Sequence, residues 1–168
     1  TPTKTPTPTP TPTATPQPCV DPYEPNDSFA AAYSLAALDP AGLHARICTP
    51  TDTDYFTFAV EMRDEIFVRL DELPKNYDLE LCDPDGTRLR VSANGGVVPE
   101  VITFTASNAA GAYRARVLTP TGEYDTIVPY RLLIQVTPWV EPVLVVNTTG
   151  DAHDGTCDAA HCSLREAF

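Results

Sequence analysis

Basic residues and long apolar runs are scarce in this 168-residue chain, and each scarcity excludes a class of protein. The sequence has 11 Lys and Arg against 23 Asp and Glu, for a net charge of −12. A nucleic-acid surface needs clustered cations, so this balance argues against one. No apolar run approaches the ~20 residues that cross a bilayer, and the longest, such as Val143 to Val146, have the length of a strand. We expect neither nucleic-acid binding nor membrane insertion.

The motifs of common catalytic sites are also missing. The chain contains no Gly-x-Ser-x-Gly, His-Glu-x-x-His or phosphate-binding loop, and His44 lies in a predicted strand with no nucleophile motif near it. We therefore interpret the chain as non-catalytic, with the accessory domain of a larger secreted enzyme as one setting for it.

Residues 1–18 form a Thr- and Pro-rich tract that holds 7 of the 18 prolines. Proline fixes φ and removes a backbone donor, so the tract predicts a disordered, extended stalk or linker of the kind found in secreted and cell-surface proteins. The chain begins in this repeat without Met or a signal-like segment and stops abruptly at Phe168. We expect a fragment of a longer extracellular protein.

Short alternating runs separated by turns predict an all-β sandwich over residues 19–137. The inward faces of the first two strands would carry Phe56, Phe58 and Val60, then Ile66, Val68 and Leu70. Asp83-Pro84-Asp85-Gly86 predicts a hairpin turn with positive φ at Gly86. Further strands are predicted at Val101 to Thr105, Tyr113 to Leu118 and Tyr130 to Val136.

One short helix is predicted near the N-terminus, over residues 28–38. The stretch mixes Ala, Tyr and Leu without β-branched residues. Asp27 or Ser28 would cap it, and Asp39-Pro40 would end it, because the residue before proline is pushed out of the α region.

Two acidic segments carry the strongest chemical signal. Asp21 to Asp27 places four oxygen-bearing side chains in seven residues, and Asp52 and Asp54 follow just before a strand. Calcium takes six to eight oxygen ligands, so the two segments together would suit it. With i, i+2 spacing, Asp52 and Asp54 would point to one side of an extended chain. A helix cap and a polar turn explain the same residues equally well.

An ordered series of motifs runs through the predicted sandwich. It comprises Glu24-Pro25-Asn26-Asp27-Ser28, Asp52-Thr53-Asp54-Tyr55-Phe56, Tyr77-Asp78-Leu79-Glu80-Leu81, Asp83-Pro84-Asp85-Gly86, Gly111-Ala112-Tyr113 and Tyr130-Arg131-Leu132. The series resembles the bacterial pre-peptidase C-terminal domain, a jelly-roll-like antiparallel β-sandwich attached to secreted peptidases. The related collagen-binding modules bind calcium, and the resemblance implies calcium ligands at Glu24, Asn26, Asp27, Asp52 and Asp54.

A second resemblance covers the C-terminal residues. After a linker at 138–142, residues 143–168 contain Val145-Val146-Asn147, Gly155-Thr156-Cys157 and Cys162-Ser163-Leu164-Arg165-Glu166-Ala167. These motifs resemble the Cys-Ser-Leu-Arg-Glu-Ala element that opens a parallel β-helix in bacterial surface proteins. We expect a truncated first coil, with a tethered β-helix domain downstream.

The five cysteines suggest disulfides in a secreted chain. Cys157 and Cys162 would pair, although with His153 and His161 they also offer zinc-ligand types at a spacing unlike the usual zinc sites. Cys19 and Cys48 flank the two halves of the implied ion site, and pairing them would add about 3 kcal/mol. Cys82 is left over, either a tolerated thiol or a reactive one.

Exposed aromatic residues are a further binding signal. Tyr113 and Tyr130 alternate with arginines and are predicted to face the core. Most tyrosines fit strand packing, which leaves Tyr77, Tyr124 and Trp139 as weak ligand-binding candidates. The overall expectation is a secreted or cell-surface, calcium-stabilised, monomeric spacer or adhesion module. Its partner would be an extracellular protein or polysaccharide. The alternative is a collagen- or polysaccharide-targeting domain of a secreted peptidase.

Overall fold

A computed structural model describes residues 18–107 and 109–141 of the chain. The described elements are a 3-10 helix at Phe29–Ala31 and nine strands: β1 Tyr33–Ser34, β2 Leu43–Ala45, β3 Thr53–Val60, β4 Glu65–Asp71, β5 Asp78–Cys82, β6 Arg88–Ser92, β7 Glu100–Thr105, β8 Gly111–Leu118 and β9 Tyr130–Thr137. No helix in these two ranges has the length and apolar character of a membrane span.

The strands form two sheets. The first has the order β1-β3-β8-β5-β6 and the second the order β2-β9-β4-β7. Strand β1 runs parallel to β3, and the other pairings are antiparallel. The predicted all-β sandwich is confirmed.

The core lies between the sheets and follows the alternation predicted from the sequence. Phe56, Phe58 and Val60 of β3 are buried, as are Ile66, Val68 and Leu70 of β4. Tyr113 and Tyr130 also face inward, with 2% and 0% of their surface exposed. One continuous apolar cluster joins residues of both sheets. Alternation predicted this core correctly because successive side chains of a strand point to opposite faces.

The predicted N-terminal helix is wrong. Ser28 does cap a helical turn, accepting a hydrogen bond from Ala31 N at 3.2 Å, but that turn is a 3-10 helix of three residues. The chain then becomes extended: Tyr33 pairs with Phe56 of β3, and Leu35 N donates to Thr57 O at 2.9 Å. A helix of about 11 residues is marginal by itself. The open edge of β3 offers backbone partners that outweigh the local preference.

The hairpin between β5 and β6 is confirmed. The Asp83 carboxylate accepts hydrogen bonds from the backbone N–H groups of Asp85 at 3.0 Å and Thr87 at 2.7 Å. Gly86 has φ +90°, a conformation that side chains with a Cβ disfavour.

The chain divides into two units after Pro138. The first contains the whole sandwich, and the described part of the second is limited to residues 139–141. Of the disordered stalk expected at residues 1–18, all but residue 18 lies outside the described residues. The β element expected at 143–168, with its Cys157–Cys162 pairing, also lies outside them. The proposed domain boundaries stay predictions.

Candidate metal centre

The start of β3 positions two carboxylates of the candidate site. Asp52 immediately precedes the strand and Asp54 is its second residue. Both are buried, with 5% and 0% of their surface exposed, on the inward-facing alternation that continues to Phe56. The i, i+2 spacing therefore places both on one side, as predicted.

The N-terminal segment brings a third carboxylate to this place. One carboxylate oxygen each from Glu24, Asp52 and Asp54 lie within 4.8 Å of one another. A backbone hydrogen bond attaches the segment to β3: Tyr55 N donates to Asn26 O at 3.0 Å. Within the segment, Asn26 N donates to the Glu24 carboxylate at 2.9 Å. The three carboxylates can hold a metal ion.

Burial and like charge raise the pKa of all three carboxyl groups. Burial raises the pKa of Asp52 to about 6, and the neighbouring Asp27 and Glu24 add to the rise. Burial raises the pKa of Asp54 to about 8, while the Tyr130 hydroxyl acts in the opposite direction. The pKa of Glu24 is raised as well, mainly by burial. Such groups gain free energy from a proton or a cation.

Several buried polar atoms at this place have no partner within the protein. Asp54 accepts a hydrogen bond from the Tyr130 hydroxyl through Oδ2, and Asp52 accepts one from Cys48 N at 2.5 Å through Oδ2. The remaining Oδ1 atoms of Asp52 and Asp54 are unpartnered, as are both polar side-chain atoms of Asn26, a fully buried residue. Buried polar groups are normally paired, so these oxygens are suited to coordinate a cation.

Three of the five implied ligands come together, and the other two have different environments. Glu24, Asp52 and Asp54 form the trio. The carboxylate of Asp27, which is exposed, accepts a hydrogen bond from Thr53 N at 3.4 Å. Asn26, two residues after Glu24, is buried, and its backbone oxygen accepts the hydrogen bond from Tyr55 N that joins the segment to β3.

Sequence reasoning missed the contribution of Tyr130 to this place, and it included Asp21 in the acidic segment without its anchoring role. Tyr130 was predicted as a core residue, but its pairing with Asp54 joins positions 76 apart in sequence, and alternation carries no such information. Asp21 accepts backbone hydrogen bonds from Tyr23 at 2.9 Å and Arg46 at 2.5 Å. It therefore anchors the N-terminal segment. The signal in the sequence was that Tyr130 was predicted to be buried, because the hydroxyl of a buried tyrosine usually needs a hydrogen-bond partner.

The predicted Cys19–Cys48 disulfide is confirmed, with the two Cα atoms 5.7 Å apart. Cys19 begins the segment that carries Glu24, and the backbone N–H of Cys48 donates to Asp52. The covalent bond therefore joins the same two stretches of chain that supply the three carboxylates.

The remaining cysteine of the described ranges, Cys82, is buried and outside any disulfide. Burial raises the pKa of its thiol. It lines a small cavity with Phe29, Tyr55, Glu80, Gly86, Arg88 and Arg116. A buried thiol with a raised pKa favours the tolerated alternative over the reactive one.

The weak aromatic candidates have different environments. Tyr77, predicted as an exposed aromatic, is fully buried and packs edge-on against Tyr130 with ring centroids 6.0 Å apart, so it offers no surface to a ligand. Tyr124 and Trp139 are 44% and 42% exposed. A ligand at either residue stays a prediction.

Comparison with known proteins identifies similar folds and no family. No family of known proteins matches the chain by sequence, and no curated protein matches it. One similar solved structure is PliG of Aeromonas hydrophila, a periplasmic inhibitor of g-type lysozyme, at 16% identity and TM-score 0.47, covering 62% of this chain and 94% of that one. Another is the pre-peptidase C-terminal domain of a collagenase from Bacillus anthracis, at 15% identity and TM-score 0.47, covering 61% and 92%. These values assign neither a family nor a function.

Proposed function

We propose that this chain is an extracellular or periplasmic accessory domain in which calcium fixes the N-terminal segment to the β-sandwich. The observation that carries the proposal is the meeting of two buried carboxylates, Asp52 and Asp54, with the exposed carboxylate of Glu24, together with the unpartnered oxygens of Asp52 and Asp54.

The energetic argument concerns charge burial. Removing a carboxylate from water is costly unless a counter-charge accompanies it. The neighbours that shift the pKa of Asp52 upward are themselves acidic, Asp27 and Glu24. A bound cation would replace this repulsion with attraction, and it would satisfy the oxygens that no donor reaches.

The donor set favours calcium among common cations. Every candidate ligand is an oxygen, from Glu24, Asp52 and Asp54 and from the amide of Asn26. Calcium binds six to eight such oxygens with flexible geometry, whereas zinc prefers nitrogen and sulfur. The nearest cysteines, Cys19 and Cys48, are already joined to each other.

The expected role follows from where the ligands lie. Glu24 belongs to the segment that leaves the Thr- and Pro-rich tract, and Asp52 and Asp54 belong to β3. A cation held by all three would cross-link the two stretches. A force applied to the N-terminal segment would then be transmitted to the β-sheet. The disulfide supports an oxidising compartment outside the cytosol.

Thermal unfolding of the full chain in calcium, magnesium and chelator tests the proposal. A ligand at a hundred times its Kd stabilises the native state by about 2.7 kcal/mol, so calcium should raise the unfolding midpoint by several degrees. The variant Asp52→Asn plus Asp54→Asn should lose this rise.

The matched control is Glu61→Gln plus Glu65→Gln, which removes two charges from exposed positions around the β3–β4 turn. It should keep the full calcium response. Equal midpoints of the wild-type chain in calcium and chelator would overturn the proposal, and an equal response to magnesium would remove the preference for calcium.

A further inference from the structure

A cleft on the β1–β2 side of the sandwich has the size and lining of a ligand site. Its volume is about 540 Å³, within the range of small-molecule sites. The cleft lies where the chain crosses from β1 at the edge of one sheet to β2 at the edge of the other. Its lining includes Leu132 and Ile134, which also belong to the core.

The lining combines an aromatic face with polar groups. Tyr33 is 41% exposed, and the edge-on packing of Tyr23 against it, with centroids 4.9 Å apart, supports its ring. Ser34, Asp39 and His44 add a hydroxyl, a carboxylate and an imidazole, and all three residues are exposed. The cleft lining therefore offers an aromatic ring together with donors and acceptors of hydrogen bonds. His44 Nε2 also lies 3.3 Å from the exposed Glu72 carboxylate.

We propose that this cleft binds a sugar unit of a neutral extracellular polysaccharide. A pyranose ring has apolar C–H faces and a rim of hydroxyl groups. The faces match an exposed tyrosine ring, and the rim matches Ser34, Asp39 and His44. The net charge of −12, with Asp39 in the lining, disfavours acidic polymers through like-charge repulsion.

This inference rests on the extracellular domain proposed above and assigns a ligand to it. The residues involved differ from the aromatic candidates predicted from the sequence. Tyr124 is exposed to nearly the same extent as Tyr33, at 44% against 41%. However, Tyr124 is absent from the lining of the cleft. Exposure alone does not separate the two tyrosines, whereas their position relative to the cleft does.

Calorimetric titration of the full chain in calcium with cellohexaose, xylohexaose and mannohexaose tests the inference. We expect at least one of these neutral sugars to bind, and an oligogalacturonate of equal length to bind at least about tenfold more weakly. Tyr33→Ala and His44→Ala should each weaken binding by about tenfold or more. Tyr33→Phe, which keeps the ring, should retain binding, and Tyr124→Ala should leave the affinity unchanged.

Thermal unfolding of each variant separates loss of binding from loss of fold. Absence of binding by all three neutral sugars overturns the inference, as does a loss of affinity in Tyr124→Ala with none in Tyr33→Ala. Equal binding of the oligogalacturonate would overturn the preference for neutral polymers. Because calcium stabilisation is measured without sugar, a normal calcium response with no sugar binding counts against the cleft alone.

Discussion

Asp54 is the residue at which burial, charge and hydrogen bonding meet. It is fully buried, one oxygen accepts a hydrogen bond from Tyr130, and the other has no partner within the protein. If the hydrogen-bond donor to a buried carboxylate is removed, the free energy of desolvating that carboxylate is no longer offset. The stability of the domain should therefore depend on Tyr130, and more strongly when no cation neutralises Asp54.

The first prediction concerns Tyr130→Phe. Above pH 8, where Asp54 is ionised, we expect it to lower the free energy of unfolding by about 1–3 kcal/mol in chelator, and by less in calcium, because the cation would replace part of the lost stabilisation. Urea unfolding in both conditions measures the difference.

Tyr113→Phe provides a control for that measurement. It removes a hydroxyl of another buried tyrosine, one that donates to Ala109 O at 2.9 Å, away from the carboxylates. Its cost should be the same in calcium and in chelator. An equal cost of Tyr130→Phe in the two conditions would contradict the role assigned to Asp54.

At the scale of elements, the sequence predicted the turn correctly and the helix wrongly. The β5–β6 hairpin forms where Asp83 and Gly86 predict it, because the Asp83 carboxylate and the freedom of glycine act within the turn itself. The helix predicted after Ser28 is reduced to Phe29–Ala31 because the following residues pair with β3. A local signal holds where no distant partner competes for the backbone.

The second prediction compares two glycines in successive β-connections. Gly86→Ala should destabilise the domain by about 1–2 kcal/mol, since φ is +90° there. Gly95→Ala should be neutral or stabilising, by up to about 1 kcal/mol, because no atom lies within 4 Å of a Cβ added there. Thermal unfolding of both variants provides the comparison, and equal effects would contradict the conformational argument.

At the scale of the whole molecule, one disulfide and one proposed calcium ion would link the N-terminal segment to the sandwich. The Cys19–Cys48 disulfide closes a loop with a sequence separation of 29. The proposed calcium ion would join Glu24, inside that loop, to Asp52 and Asp54, just beyond Cys48. Either link limits the motion of the N-terminal segment relative to β3. When one link is present, forming the other costs less conformational entropy, so the two should be cooperative.

The third prediction is that Cys19→Ser plus Cys48→Ser lowers the free energy of unfolding by about 3 kcal/mol and also weakens calcium binding. Calcium titrations followed by thermal unfolding measure both effects. Cys82→Ser is the control, because Cys82 forms no disulfide, and its calcium affinity should stay at the wild-type value. An unchanged calcium affinity in the double variant would show that the two links act independently.

Much of the fold could be predicted because strand alternation and turn residues are local. Phe56, Ile66 and Tyr113 face the core as their spacing predicts. Tyr77 was misjudged, since whether a residue near the start of a strand is covered depends on distant chain, here Tyr130. The same limit applies to the cleft. Tyr33 and His44 line one cleft only because β1 and β2 lie on the same side of the sandwich.

The sequence by itself determined the all-β core, the hairpin at Gly86, the cysteines that pair near the acidic residues, and the excess of acidic over basic residues. These properties depend on periodicity, composition and residues close in sequence. Tertiary structure decided that Glu24 meets Asp52 and Asp54, that Tyr130 donates to Asp54, and that residues 33–38 line a cleft instead of continuing the predicted helix. Those outcomes depend on contacts between distant segments, whose energies exceed local conformational preferences.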